Sequence, residues 1–359
     1  MNCEPFEVAS YRRNYNVQFS EDAFTSLKQE LRQGDWILID ENVRRIYADS
    51  LNDILENHET VLVKPNETSK SYDGVRPVIL RLIESGFKKN NRLFAIGGGI
   101  TQDVTAFISS ILYRGIDWVF FPTNLLSQCD SCIGSKTSIN FEDYKNQLGG
   151  FFPPAKIFIA LNFLKSLDDV EIRSGLGEMA HYYLVDSEPS FAEFEKNIDD
   201  ALQRGPSLNR LIDGSLKIKK KMIELDEFDE GPRNVFNYGH SFGHAIEGYT
   251  QYSIPHGIAV AFGMDIANSV SVQLGLLDDD ARVRISATLQ KIRSQTQFPE
   301  VDFEKYLGYL KKDKKNTSDG IRLILTRGYG DMFIQKVVPD QAFSEVVQGC
   351  FERFQRESD

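Results

Sequence analysis

Five short apolar runs set the limits on this fold: DWILID (35–40), ETVLVK (59–64), RLFAIGG (92–98), WVFFPTNLL (118–126) and KIFIAL (156–161). Each reads as a buried strand. Between them, DAFTSLKQELRQ and DGVRPVILRLIESGF place apolar residues at helical spacing. Strands alternating with helices imply a mostly parallel sheet with helices on its faces, and such sheets bind ligands at the carboxyl ends of their strands. The pattern then changes. VEIRSGLGEMAHYYLV, SLNRLIDGSLKIKKKMIELDEF, HSFGHAIEGY and HGIAVAFGMDIANSVSVQLG all read as helices. The expectation is an α/β domain over 1–162 followed by an all-helical domain over 163–359. No internal repeat or low-complexity segment interrupts either part, and the charged tail FERFQRESD is expected to fray.

A chain of 359 residues can form two domains of ordinary size, each with its own core. A hydrophobic content of 41% with 26% charged residues fits a soluble globular protein. The net charge of −11 argues against a nucleic-acid partner but permits a local basic pocket for an anionic substrate. No apolar run approaches a membrane span, and MNCEPFEVAS lacks the charged-then-apolar order of a signal peptide. Four cysteines (Cys3, Cys129, Cys132, Cys350), few and scattered, fit a reducing cytoplasm. CDSC (129–132) has redox or zinc spacing, but no second cysteine pair completes a four-thiolate site, so packing at a crowded turn explains it better.

Two segments of the first part suggest binding. AIGGGITQDVTAFISSILYRG (95–115) reads as strand, glycine turn and helix, and both small residues and a helix N-terminus suit an approaching phosphate. A tight turn with no ligand would read the same way. DSCIGSKTSINFEDYKNQLGGFFPP is polar and glycine-punctuated, carries Lys136, Lys145 and Asn146, and reads as a long functional loop closed by Pro153 and Pro154.

The helical part offers candidate metal donors, although a structural helix with two satisfied histidines would read the same way. Four of the five histidines, His181, His240, His244 and His256, fall within 76 residues. His240 and His244 are four apart, so they share a helix face, as do Glu178 and His181 at a spacing of three. A catalytic metal needs three imidazole or carboxylate ligands and an open position. Three separate elements supply the donors here, and spacing alone does not select three of the five. A cationic set, Lys136, Lys145, Lys219, Arg233 and Lys314, suits phosphate or carboxylate groups. Most lysines of KIKKKM (217–222) are better read as a solvated helix face. Arg233, seven residues before His240, is well placed to hold the far end of a metal-bound anion.

Together, GGGITQDVTAF, YRG, PTNLLSQCDSCIGSKTSIN, KNQLGGFFPP, SGLGEM, NYGHSFGHAIE and PHGIAVAFGM resemble the dehydroquinate synthase-like sugar phosphate cyclases, in order and spacing, from about residue 35 to 330. The resemblance implies a Rossmann-like NAD-binding domain, a helical metal domain and a homodimer with the active site in a cleft. It also implies a cycle in which a sugar phosphate hydroxyl is oxidised by NAD, phosphate is eliminated, the ketone is reduced again, and the ring opens and recloses by an aldol step. Glu178, His240 and His256 match the ligands of a divalent metal, commonly Zn2+, with Co2+ an alternative. His244 matches an active-site histidine that is not a ligand. Asp130, Lys136, Lys145, Asn146, Lys219, Arg233 and Asn237 match substrate-pocket positions, as does Lys314. Arg114 matches an arginine directed to the phosphate site of a partner subunit. The NAD matches are Asp40, Asn42, Glu67, Lys70, Gly98, Gly99, Asp103, Thr123 and Asn124, together with Lys136 and Lys145. A bound phosphate can itself serve as base, so proton abstraction is not assigned to His244 alone.

Some positions depart from the dehydroquinate synthase pattern. His181 stands where that pattern has a pocket lysine, ITQD replaces VIGD, and PTNLL replaces PTTLL. TQD and NFEDYKNQLGGFFPP look more like sedoheptulose 7-phosphate cyclases, which lack a counterpart of His244. Lys219, Arg233 and Asn237 follow dehydroquinate synthase, and the Lys–Arg pair suits a substrate carboxylate. The favoured expectation is 3-dehydroquinate synthase or a close relative, with a cyclase for another sugar phosphate as the alternative. A polyol dehydrogenase of the glycerol dehydrogenase type and a binding-only relative are rivals. The first would accumulate NADH and has no need of the lysine–arginine set. The second would have lost ligands that this chain keeps.

Overall fold

A computed structural model describes residues 3–142, 144–311 and 320–358. The chain forms two compact units, one of residues 1–167 with 219–228, the other of 168–218 with 229–359.

The first unit contains β1 (Phe6–Val8), β2 (Tyr15–Phe19), α1 (Ala23–Glu30), β3 (Trp36–Asp40), α2 (Glu41–Ile46), α3 (Ala48–Glu56), β4 (Thr60–Val63), α4 (Tyr72–Glu84), β5 (Leu93–Gly97), α5 (Gly99–Ile111), β6 (Trp118–Pro122), β7 (Lys136–Phe141), β8 (Tyr144–Phe151) and β9 (Lys156–Ile159). Seven strands form one sheet in the order β1-β2-β9-β6-β5-β3-β4. Only the β1–β2 pairing is antiparallel. Every residue of β3, β5 and β6 is buried, which is why these strands read as continuous apolar runs. Ile37, Ile39, Phe94, Ile96, Phe121 and Phe158 belong to one core cluster that also takes in Ala23 and Leu27 of α1 and Leu51 of α3. The chain steps outward from β3 to β4, then returns through α4 to β5 on the other side of β3. The carboxyl ends of β3 and β5 therefore flank the point where strand order reverses, the place such sheets reserve for a ligand.

The stretch read as a long loop is largely a hairpin: β7 and β8 pair antiparallel, Lys136 opposite Phe151 and Phe141 opposite Tyr144. Most of β8 is exposed, so it shows none of the alternation that marks a half-buried strand.

The second unit holds α6 (Asp169–Asp186), α7 (Glu188–Leu202), α8 (Ser207–Leu225, belonging to the first unit from Lys219 on), α9 (His240–Tyr249), α10 (His256–Gln273), α11 (Asp279–Arg293) and α12 (Phe303–Lys311), then β10 (Ile321–Thr326), β11 (Met332–Val337) and α13 (Gln341–Ser358). It is not all-helical: β10 and β11 form an antiparallel hairpin from Ile321↔Val337 to Thr326↔Met332. Helix α10 is buried along nearly its whole length and packs against α6, α9, α11 and α13. An all-round apolar helix is the expected centre of a helical layer. Its one buried charge, Asp265, is matched by Arg293 at 2.8 Å, Arg353 at 3.0 Å and the Ser286 hydroxyl at 2.8 Å.

Glycines set how closely α10 meets its neighbours. A Cβ on Gly177 of α6 would stand 2.0 Å from the Gly257 carbonyl oxygen, and one on Gly257 would stand 1.8 Å from that of Ser174. Backbone thus touches backbone, and the residues beside these glycines, Glu178 and His256, are forced face to face. On the other flank, a Cβ on Gly263 would stand 2.1 Å from the Gly239 carbonyl oxygen, which holds the start of α9, and so His240, against α10. Among the described residues, no helix is long and apolar enough to cross a membrane.

Candidate active site

In the second unit, those helix crossings bring His240 and His256 to the two oxygens of Glu178. His240 Nε2 lies 3.6 Å from Glu178 Oε1, and His256 Nε2 lies 3.4 Å from Glu178 Oε2. Their other ring nitrogens are engaged: His240 Nδ1 is 3.2 Å from the Tyr238 carbonyl oxygen, and His256 Nδ1 is 3.1 Å from Glu247 Oε2. An acceptor at Nδ1 fixes the proton there and leaves the Nε2 lone pair facing Glu178, the usual arrangement of metal-binding histidines. Glu178 Oε2 is buried and makes no hydrogen bond.

The electrostatics agree. Burial would raise the Glu178 carboxyl, but the surrounding rings of His181, His240 and His256 outweigh it and hold its pKa well below the carboxylate range. Burial likewise disfavours a charged His256, yet Glu178 and Glu247 raise its pKa well above that of an ordinary histidine. Glu247 follows the same logic, with burial overcome chiefly by His256 and its pKa lowered. A buried carboxylate ringed this tightly by imidazoles is suited to a divalent ion. Two groups that share no residue each bring a donor atom from every member within 4.8 Å of the others: Glu178 with His181 and His240, and His244 with Glu247 and His256.

Beside the cage lies a cavity of about 430 Å³ whose lining includes Asn237, His240, His244, Tyr309 and Arg322. His244 is exposed, and its ring is 5.5 Å from that of His240 and 5.6 Å from that of His256. Asn237 ends the short turn Pro232–Asn237, on which Arg233 is buried. Lys314 lies outside the described residues.

In the first unit, several nucleotide-site candidates meet at the strand-order reversal. Asp40 closes β3 and caps α2, accepting hydrogen bonds from the backbone N–H groups of Asn42 (2.8 Å) and Val43 (3.3 Å). Burial nevertheless raises its pKa. Gly98 caps α5, and a Cβ there would meet the Asn124 amide at 2.8 Å, whereas a Cβ on Gly99 would meet nothing within 4 Å. The Thr123 N–H donates to the Gly97 carbonyl at 3.0 Å, tying the ends of β6 and β5 together. Open space over Gly99 at a helix N-terminus is a cradle suited to a phosphate.

Glu67, Lys70, Asp103 and Lys145 lie further along. Lys70 pairs with Asp103 at 2.6 Å, and burial raises the Asp103 pKa despite that lysine. Glu67 accepts from Asn140 at 2.7 Å and from Lys145 at 3.3 Å, and these three line a second cavity of about 470 Å³. Asn146 has a left-handed backbone (φ 55°) and accepts from the Ser138 hydroxyl at 3.0 Å, while Lys136 is exposed at the start of β7. Lys219 Nζ is buried and donates to both the carbonyl (2.6 Å) and the carboxylate (2.8 Å) of Asp130. It is thus one member of the KIKKKM run that is not solvated. Arg114 is exposed on a left-handed turn (φ 64°). Cys129 and Cys132 are buried, and burial above all pushes the Cys132 thiol up to about 12, far from a reactive thiolate.

Glu247 was not picked out from the sequence, although it closes the NYGHSFGHAIE stretch. Its partner, His256, sits on a different helix, and no spacing rule links the two. Tyr309 and Arg322 of the cavity likewise carry no sequence signal.

Residues 60–174 match the family model for the 3-dehydroquinate synthase N-terminal region, and residues 175–316 match that for its C-terminal region. The chain belongs to the 3-dehydroquinate synthase family. The 3-dehydroquinate synthase of Acidithiobacillus ferrooxidans is 35% identical over 324 residues, which is 88% of each chain. Among solved structures, a 2-deoxy-scyllo-inosose synthase complexed with carbaglucose-6-phosphate, NAD+ and Co2+ superposes with a TM-score of 0.86 at 23% identity. That match covers 96% of this chain and 100% of the other. A 2-epi-5-epi-valiolone synthase from Streptomyces hygroscopicus with NAD+ and Zn2+ bound gives 0.84 at 23% identity, covering 96% and 99%. Both structures share the fold of this chain.

Proposed function

We propose that this chain is a sugar phosphate cyclase that converts a seven-carbon sugar acid phosphate into a carbocycle, as 3-dehydroquinate synthase or a close relative. The observation that carries the reading is the cage in which both oxygens of Glu178 face the Nε2 atoms of His240 and His256. Membership of the 3-dehydroquinate synthase family supports it. Glu178, His240 and His256 would hold a divalent metal, Zn2+ or Co2+, and the reversal point with Asp40, Gly98, Gly99, Thr123 and Asn124 would hold NAD. When bound, the metal would acidify a substrate hydroxyl while NAD takes up a hydride and later returns it.

The chain's own groups would do the rest. His244 presents its ring to the cavity beside His240, where it can accept or return a hydroxyl proton, and the Asn237 amide can orient the same oxygen. Arg233 would supply charge for a carboxylate, and within the first unit Asp130 fixes the Lys219 ammonium, a second candidate cation, by two hydrogen bonds. Lys136 and Asn146 would stabilise a departing phosphate dianion. Lys314 joins them on the strength of the sequence resemblance alone. The reading includes a cytoplasmic homodimer, with Arg114 serving the phosphate site of a second copy.

The test is to incubate metal-loaded protein and NAD with 3-deoxy-arabino-heptulosonate 7-phosphate and, separately, with sedoheptulose 7-phosphate, following phosphate and NADH together. Phosphate release from the sugar acid without NADH accumulation is the expected result. Release only from sedoheptulose 7-phosphate would move the substrate to the alternative class. NADH build-up from a simple polyol would replace the cyclase with a dehydrogenase.

A further inference from the structure

The cage holds one more imidazole than the proposed ligand set uses. His181 follows Glu178 by three residues on α6, so both side chains leave the same helix face. Glu-x-x-His pairs supply two metal ligands from one helix in bundle proteins. His181 is 0% exposed, and its Nδ1 lies 3.6 Å from Glu178 Oε1, the same oxygen that His240 Nε2 approaches at 3.6 Å. One donor from each of Glu178, His181 and His240 lies within 4.8 Å of the others. Donors sharing an ion at bond lengths of about 2.0–2.1 Å stand roughly 3–3.5 Å apart, so a small inward shift brings all of them into range. The ring is also held in place, 3.9 Å from that of Tyr182 and 5.9 Å from that of Phe236, centroid to centroid.

We propose that His181 is an additional ligand, so that the ion is held by one carboxylate and three imidazoles. This rests on the reading of Glu178, His240 and His256 as a metal cage. It has a consequence for metal choice. Four protein ligands leave little room in a four-coordinate Zn2+ shell for a substrate that brings two oxygens of its own. Ions that accept five or six ligands, such as Co2+, suit this cage better. A lysine at position 181 would instead add a charge and remove a donor.

The experiment is X-ray absorption on the Co2+-loaded wild-type chain, which counts imidazoles, together with Co2+ titration of wild type, His181→Leu and His256→Ala. Three imidazoles are expected in the wild type. His181→Leu, which keeps bulk and loses the donor, should weaken Co2+ about 10- to 100-fold and shift its visible bands. His256→Ala should weaken it at least as much. Two imidazoles in the wild type would overturn the proposal even if His181→Leu does not fold, as would an unchanged Co2+ spectrum in a folded variant. Failure of the wild type to bind Co2+, or undiminished binding by His256→Ala, would instead remove the cage itself and the proposal with it.

Discussion

The two units build their candidate sites from different materials. At the carboxyl ends of the strands in the first, the site is mostly backbone: a strand end, a glycine with open space beside it, and the N-terminus of α5. In the second, it is side chains alone, a buried carboxylate ringed by imidazoles whose positions follow from backbone contacts at Gly177, Gly257 and Gly263. Glycine serves both, for opposite reasons. Over Gly99 the missing Cβ leaves room for a ligand, and at Gly177 it leaves room for another helix. A site made of empty space is damaged by adding atoms, whereas a site made of donors is damaged by removing them.

The sharpest break is removal of the central donor. Glu178→Gln keeps shape and burial but gives up the charge that would hold the ion. Bound metal per chain should fall to near zero and phosphate release by roughly a thousandfold or more. Metal analysis and the phosphate assay check this, and a variant that keeps both its metal and its rate would end the assignment. Next comes Gly177→Ala. Its methyl would stand 2.0 Å from the Gly257 carbonyl oxygen, a contact with backbone that cannot rotate away. The helix propensity gained is at most about 1 kcal/mol, against an overpacking cost of about 1–3 kcal/mol or more. Stability in denaturant should drop, and metal affinity with it, because the clash separates Glu178 from His256. Unchanged values of both would mean that the crossing is looser than the structure has it.

Glu247→Gln probes the support rather than the cage. The amide can still accept from His256 Nδ1–H, but without the carboxylate's charge, so metal affinity should fall about 10- to 100-fold while stability holds. Competition with a chelator measures it. A loss as deep as that of Glu178→Gln would make Glu247 a ligand itself, in the group it forms with His244 and His256.

The two units also differed in how much of them could be read beforehand. Strands β3, β5 and β6 stood out because burial on both faces makes apolar runs without interruption. Strands β1 and β2 did not, being a three-residue edge and a half-polar neighbour. Hairpin β7–β8 looked like a loop because its second strand is mostly exposed, and β10–β11 was lost among helices. The cage was legible as a set of residue types but not as a geometry. Spacing placed Glu178 with His181 and His240 with His244, each pair on its own helix. The approach of His256 to Glu178 and of Glu247 to His256 depends on how helices cross, which no local pattern records.

The smallest expected effect tests the other half of the comparison. Gly99 stands at the first position of α5 with nothing within 4 Å of where a Cβ would be. Gly99→Ala therefore meets no obstacle, and alanine's better helix propensity should leave stability equal or raised by a few tenths of a kcal/mol. If NAD places its phosphates over the α5 N-terminus, the added methyl intrudes on their approach to the backbone N–H groups. The KM for NAD should then rise about tenfold, equivalent to about 1.4 kcal/mol, with metal content unchanged. The pairing of outcomes matters more than either alone. A stability loss would show that the space over Gly99 is filled by the protein, so the variant would say nothing specific to NAD. Equal stability with an unchanged KM would move the phosphates away from this turn, towards the cavity of Glu67, Asn140 and Lys145. Only a weaker hold on NAD in an equally stable protein marks Gly99 as space kept open for a ligand.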